Sequence, residues 1–93
     1  MTEIIIQQMP AFKKAYKKLF PENRKAVDEA IQLIVKNPKM GEEKKGDLAG
    51  IFVYKFKIHN QQLLLAYEWD PKNRVLLTLG VHENFYRDLK RQK

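Results

Sequence analysis

The stretch Ile51-Phe52-Val53-Tyr54-Lys55-Phe56-Lys57-Ile58-His59-Asn60-Gln61-Gln62-Leu63-Leu64-Leu65-Ala66-Tyr67-Glu68-Trp69 decides the fold. In its first half the apolar residues recur with a period of 2, the signature of a strand. Phe52, Tyr54, Phe56 and Ile58 share one side. Ile51 and Val53 begin the other side, which then turns to Lys55 and Lys57, with His59 next in line. His59-Asn60-Gln61 reads as a hairpin turn, and residues 62–69 as a second, leucine-rich strand. Asp70-Pro71-Lys72-Asn73 is a strong turn signal. A third strand then runs from Arg74 to Gly80, with Val75, Leu77 and Leu79 alternating. Tight turns join antiparallel neighbours, so the three strands form a meander.

Upstream the period is 3.6. Pro10 opens a helix at a first-turn position, where its missing N–H costs nothing. Phe12, Ala15, Tyr16 and Leu19 form its apolar stripe. Pro21 stops that helix and starts another, with the stripe Val27, Ala30, Ile31 and Ile34 and with Leu33 beside it. Asn37-Pro38 ends the second helix, because a residue before proline avoids the helical region. The short link makes the pair an antiparallel hairpin. Residues 3–7, rich in isoleucine, read as a short strand, and residues 38–50 as a polar loop. His82 to Lys90 reads as a short final helix with Phe85 and Leu89 on one side. The expected fold is α+β, in the order β-α-α-β-β-β-α, over residues 1–93 as a single domain. The helical hairpin covers one face of the sheet and leaves the other free to be concave and polar.

Composition narrows the chemistry. The chain has 93 residues, no cysteine, two histidines and a net charge of +7. Disulfides, thiolate catalysis and cysteine-rich zinc sites are excluded, and no metal or other cofactor is expected. A hydrophobic fraction of 44% argues against disorder. No apolar run approaches the ~18 residues that span a membrane. The N-terminal residues lack a signal-peptide pattern, so a cytoplasmic protein without a membrane role is expected. The positive charge calls for an anionic partner. It is concentrated in Lys13, Lys14, Lys17, Lys18, Arg24 and Lys25, and again in Arg87, Lys90, Arg91 and Lys93; residues 26–81 nearly balance. The first cluster is read as RNA-binding, against the plainer reading of a solvated helix face.

Two groups of residues could carry chemistry. Lys55 and Lys57 lie about 7 Å apart along their strand, a spacing that suits phosphates. His82 and Tyr86 are i, i+4 neighbours on a helix, and Arg87 follows. Imidazole, phenol and guanidinium could address one phosphate: histidine moves a proton near neutrality, and arginine stabilises a developing phosphorane. The structural alternatives are an ordinary solvent-facing strand, a histidine that caps a helix and a tyrosine in the core. There is no glycine-rich phosphate loop, no serine and no metal-binding histidine pair. A catalyst built from this set works by metal-free acid–base chemistry on an anion. Cleavage of RNA by its own 2′-hydroxyl fits that restriction.

Lys45-Gly46-Asp47-Leu48-Ala49-Gly50, then Leu63-Leu64-Leu65-Ala66-Tyr67-Glu68, then Gly80-Val81-His82-Glu83-Asn84-Phe85-Tyr86-Arg87-Asp88-Leu89-Lys90 resemble the RelE/ParE superfamily of toxins from bacterial type II toxin–antitoxin systems. The C-terminal stretch is similar to that of a ParE-like subgroup. The resemblance implies a helical hairpin on a twisted, mainly antiparallel sheet, and a growth-inhibiting toxin partnered by a cognate antitoxin. RelE-like members cleave mRNA on the ribosome without a metal; ParE-like members poison DNA gyrase. By the same resemblance His82 matches the histidine after the last strand of the nucleases, and Tyr86 the aromatic one turn later. Lys55 and Lys57 fall on the strand that carries basic or imidazole groups in those enzymes. Gln62 stands near the place of a strand arginine in RelE, so Lys55, Lys57 or Arg87 must supply that charge.

Three functions follow as expectations. The leading one is a ribosome-dependent mRNA endonuclease, with His82 as acid or base, Lys55, Lys57 and Arg87 around the phosphorane, and Tyr86 positioning the substrate. The others are a gyrase inhibitor and a non-catalytic basic adaptor of the same fold.

Overall fold

The computed structural model describes residues 3–81 and Phe85. Strand β1 (Ile5–Gln8) leads directly into helix α1 (Pro10–Lys17), and helix α2 (Pro21–Lys36) follows. Both helices begin with proline at the first position, as expected from sequence. Neither has a side-chain N-cap, so packing rather than capping holds their starts. The end of α1 is tied down instead. Arg24 of α2 donates from Nε to the Tyr16 carbonyl (3.3 Å) and from Nη2 to the Lys17 carbonyl (2.9 Å). The Tyr16 carbonyl also accepts the Leu19 N–H at 3.1 Å, and the guanidinium adds a charged donor at the negative end of the helix. Tyr16 Oη donates to Asp28 Oδ1 at 2.8 Å and joins the two helices. That hydrogen bond to a carboxylate holds the phenol proton above its ordinary pKa.

The sheet has five strands in the order β1-β5-β4-β3-β2. Strand β2 is Glu42–Glu43, β3 is Phe52–Ile58, β4 is Gln61–Trp69 and β5 is Asn73–Gly80. The meander β3-β4-β5 forms as expected, and β1 joins β5 in parallel. Segment 38–50 departs from the expected polar loop. Glu42 and Glu43 pair with Val53 and Phe52 as a two-residue edge strand. Their carboxylates give no strand signal, but charge suits an exposed edge.

A second departure lies in β5. Alternation from sequence places Val75, Leu77 and Leu79 on one side, but Ala66 pairs with Thr78 while the next residue, Tyr67, pairs with Leu76. Leu77 is therefore the extra residue of a β-bulge, and beyond it the strand reverses which side faces the helices. Leu76 and Leu79 pack under the helices with Phe12, Val27, Ile31, Ile34, Leu65 and Tyr67. Leu77 packs on the far face with Leu48, Ile51, Val53, Leu64, Ala66 and Phe85. The far face is thus a second small core over much of its area, not the open polar face that sequence suggests. Residues 63–67 are all buried, because β4 lies centrally with apolar layers on both sides.

Tyr67 locks segment 38–41 onto the sheet. Its hydroxyl donates to the Pro38 carbonyl (2.6 Å) and accepts the Gly41 N–H (2.9 Å). Burial raises the pKa of this phenol, because the charged form is desolvated. A Cβ on Gly41 would stand 2.5 Å from the Tyr67 hydroxyl and 3.0 Å from its ring. Gly41→Ala is therefore expected to cost about 2–3 kcal/mol, through overpacking and loss of both hydrogen bonds. Chemical denaturation measures it.

Turn 70–73 is held by the Asp70 carboxylate, which accepts from Lys72 N, Asn73 N and Asn73 Nδ2. The Lys72 N–H foremost, then the Asn73 amide, hold its pKa below the ordinary carboxylate value. A depressed folded pKa means that the contribution is present above the unfolded pKa and is lost as pH falls through the folded one. Proton titration by NMR is expected to place Asp70 below an exposed aspartate.

Candidate functional site

Alternation along β3 sends Lys55 and Lys57 to the face opposite the helices, on the same side as Val53. Lys55 pairs with Leu64, which pairs in turn with Gly80; Lys57 pairs with Gln62. Both lysines are exposed, and among the described residues neither is in an ion pair. Beyond Val53, β2 no longer pairs with β3, so among the described residues both lysines stand on an unpaired sheet edge. Lys57 also borders a cleft of about 150 Å³ against α2. Strand β5 ends at Gly80, and Phe85 returns to pack, 2% exposed, on the same face as the lysines. Its ring lies 3.9 Å from where a Gly80 Cβ would be.

These contacts place two exposed lysines on the face to which the chain returns after β5. His82, Tyr86 and Arg87 lie outside the described residues. Gln62, the neutral residue across from Lys57, is exposed on the same face.

The other basic group is elsewhere. Lys13, Lys14, Lys17, Lys18 and Lys25 are exposed on the helical layer, across the sheet from Lys55. Arg24 is half-buried, and its guanidinium is occupied with the end of α1 and lies 5.7 Å from the Tyr16 ring centre. The molecule therefore has two separate positive surfaces.

Two features escape a reading of the sequence. At the hairpin tip His59 adopts φ = 56°, the left-handed region. A two-residue turn between Ile58 and Gln61 demands this, yet it costs any residue with a Cβ. His59→Gly is expected to raise stability by about 0.5–1 kcal/mol, read as a higher melting temperature. Beside the tip a groove of about 370 Å³ opens, with Leu19 and Asn23 on one wall and Ile58, His59, Asn60 and Leu63 on the other. The Asn23 Oδ1 is buried and accepts no hydrogen bond from the described residues. Such an oxygen costs about 1–3 kcal/mol if it stays unpaired. No sequence signal marks it, because Asn23 sits in the first turn of a helix that is otherwise mostly solvated there.

Among the described residues no helix is long and apolar enough to cross a membrane, and no three His, Asp or Glu side chains cluster as metal ligands.

A family model, the ParE-like toxin of type II bacterial toxin–antitoxin systems, matches residues 6–90. No curated protein sequence matches. Among solved structures, the fold is similar to the toxin–antitoxin complex RelBE2 from Mycobacterium tuberculosis. The TM-score is 0.72 at 21% identity, over 87% of this chain and 100% of that one. It is also similar to a mutant of the E. coli toxin RelE in the free state, with TM-score 0.74 at 16% identity over 98% of both chains. The YoeB/ParE toxin from Agrobacterium tumefaciens gives 0.67 at 13%, over 85% of this chain and 99% of that one. At these identities the structural likeness speaks for the fold alone.

Proposed function

The chain belongs to the ParE-like toxins of type II bacterial toxin–antitoxin systems, and on that premise we propose that it is a metal-independent endoribonuclease that cuts mRNA on the ribosome. The observation that carries this reading is the pair Lys55 and Lys57, exposed and in no ion pair among the described residues, on the sheet face to which the chain returns at Phe85. Two ammonium groups set about 7 Å apart along a strand meet a phosphodiester and its neighbour.

The chemistry assigned to the site is transesterification. The ribose 2′-oxygen of the substrate attacks the adjacent phosphorus and loses its proton to a base. The bond from phosphorus to the 5′-oxygen breaks, and that oxygen takes a proton from an acid. A 2′,3′-cyclic phosphate and a 5′-hydroxyl result. His82 serves as the proton-transfer group, Lys55, Lys57 and Arg87 stabilise the added negative charge, and Tyr86 positions the substrate. The exposed lysines of α1, on the other face, hold ribosomal RNA through a salt-sensitive phosphate interaction. A cognate antitoxin partners the toxin, as in the RelBE2 complex it resembles.

Mapping of mRNA 5′ ends after induction tests the reading. New ends within codons are expected, together with unaltered supercoiling by gyrase. Intact mRNA with accumulating gyrase–DNA cleavage complexes would make the protein a gyrase inhibitor instead. Retention of full cleavage by His82→Ala would remove His82 from its role.

A further inference from the structure

We propose that the edge of β3 beyond Val53 docks an extended segment of a partner protein, paired antiparallel to β3, whose residues alternate between apolar and acidic. The proposal deepens the reading above by naming what closes the lysine face. It rests on that reading only for its consequence, that the bound strand and mRNA compete.

The backbone selects the kind of occupant. Lys44 N donates to Ile51 O at 2.8 Å, and Glu42 pairs with Val53. The odd-numbered residues of β3 therefore turn their N–H and C=O away from β4. Past Val53 the next outward groups are those of Lys55 and Lys57, and among the described residues no strand pairs with them. They offer donors and acceptors together, with about 7 Å from one lysine to the next. A further strand answers both kinds. Phosphates bring only acceptors and leave the two carbonyls unanswered. Run antiparallel to β3, the added strand continues the line of β2.

The two sides of the edge select the side chains. On the far face, partner residues opposite Lys55 and Lys57 meet two exposed lysines that are in no ion pair among the described residues, which calls for carboxylates. On the other side the intervening residues reach the cleft between β3 and α2, where Ala26, Ala30, Leu33, Tyr54 and Phe56 form an apolar lining. Leu33 is 42% exposed there, and the rings of Tyr54 and Phe56 stack with their centres 5.9 Å apart. Glu29 also lines this cleft and repels an acidic side chain from it, so the carboxylates belong on the far face. A second copy of this chain does not fit, because β3 paired with its twin sets lysine against lysine. The bound strand lays its carboxylates on the ammonium groups that the reading above assigns to phosphate, so docking and cleavage exclude each other.

The test uses the full chain and a synthetic peptide of about seven residues, alternating valine and glutamate. Affinity is followed by fluorescence anisotropy, and the place of binding by NMR-detected amide exchange. In the free protein the Lys55 and Lys57 amides are expected to exchange much faster than those of Tyr54 and Phe56, which bond to β4. The peptide is expected to slow them at least about tenfold. In antiparallel pairing the glutamate nitrogens face β3 and the valine nitrogens face away. Methylating the glutamate nitrogens is expected to weaken binding by about tenfold or more, and methylating the valine nitrogens by less than about threefold. Leu33→Glu is expected to weaken binding about tenfold while cleavage and melting temperature stay near wild type, because Leu33 is exposed and lies off the lysine face. Amides of Lys55 and Lys57 that are already protected in the free chain would overturn the proposal, since the edge is then occupied. Equal protection by a peptide with its valines and glutamates in separate blocks would overturn it too, as would protection by a 2′-O-methyl RNA but not by the peptide. If the peptide docks as described but mRNA is not cleaved in cells, the nuclease reading fails and the docking edge stands. If cleavage depends on His82 but the peptide leaves both amides unprotected, the docking edge fails and the nuclease reading stands.

Discussion

Lys55→Ala/Lys57→Ala is expected to lower mRNA cleavage by about 10²–10³-fold while the protein melts within a degree or two of wild type. Preorganised groups that meet charge developing in a transition state each contribute on this scale, and their removal falls on rate. Stability is spared for a separate reason. Both side chains are exposed and without ion pairs among the described residues, and such surface changes usually stay within ~0.5 kcal/mol. Lys55 does help to hold the Glu42 carboxyl below its ordinary pKa, but Lys44 dominates there by hydrogen bond and charge, and Glu42 is fully exposed. The two single variants separate the roles. If each costs as much as the double, the lysines act on one phosphate; if the losses multiply, they act on neighbouring ones. Cleavage rates on programmed ribosomes, at fixed salt, give the answer. A double variant that cuts at the wild-type rate would exclude this face as the site.

Arg74→Met is expected to remove about 3–4 kcal/mol of stability, more than half of what a marginal domain of this size possesses. Arg74 is 4% exposed, yet no carboxylate pairs with it within 4 Å among the described residues. Backbone carbonyls take that place. Nε donates to Ile34 O at 3.1 Å and Nη2 to Val35 O at 3.0 Å, at the end of α2. Nη1 donates to Asp70 O at 2.6 Å and Asn73 O at 2.9 Å, in the turn before β5. The guanidinium also lies 5.8 Å from the Trp69 ring centre. One side chain thus answers the negative end of a helix and closes a turn. Methionine fills the volume but takes the charged donor from the Ile34 and Val35 carbonyls, while Asp70 O and Asn73 O keep only each other's backbone N–H; by the usual scaling the melting point falls by ~15–20 °C. Arg74→Lys is expected to recover little, because a single ammonium cannot reach two sites that a planar fork spans. Full recovery by lysine would show that charge, not geometry, is what α2 requires.

Much of the fold was legible because local rules govern it. The prolines at 10, 21 and 38 mark helix boundaries wherever they fall, and a period of 2 survives in β3 because one of its sides is polar. What failed depended on neighbours. Glu42 and Glu43 become a strand only because Phe52 and Val53 offer an edge. The bulge at Leu77 depends on the register against Ala66 and Tyr67, which no single strand encodes. Arg74 reads as an ordinary strand residue until α2 delivers Ile34 and Val35 to it, forty residues away in sequence. The site divides in the same way. Lys55 and Lys57 were visible from alternation. The groove at Asn23 was not, since an unpaired oxygen exists only after the hairpin tip closes over it.

The parallel pairing of β1 with β5 has a consequence for how the protein is made. Ile5 is matched to Asn73 and Gln8 to Leu76, so β1, made before the other described strands, has no partner until β5 exists. Contacts so distant in sequence form late, after the loop between them has been closed. During synthesis β1, with Ile5 and Ile6 exposed even in the finished fold, waits as an unpaired apolar segment. The far-face core waits as well, because Phe85 is made later still. The nascent chain can build its helical hairpin early, but the surface that carries Lys55 and Lys57 is buttressed only once those last pieces arrive. The sheet face that carries Lys55 and Lys57 is thus completed only after all five strands and Phe85 have been made.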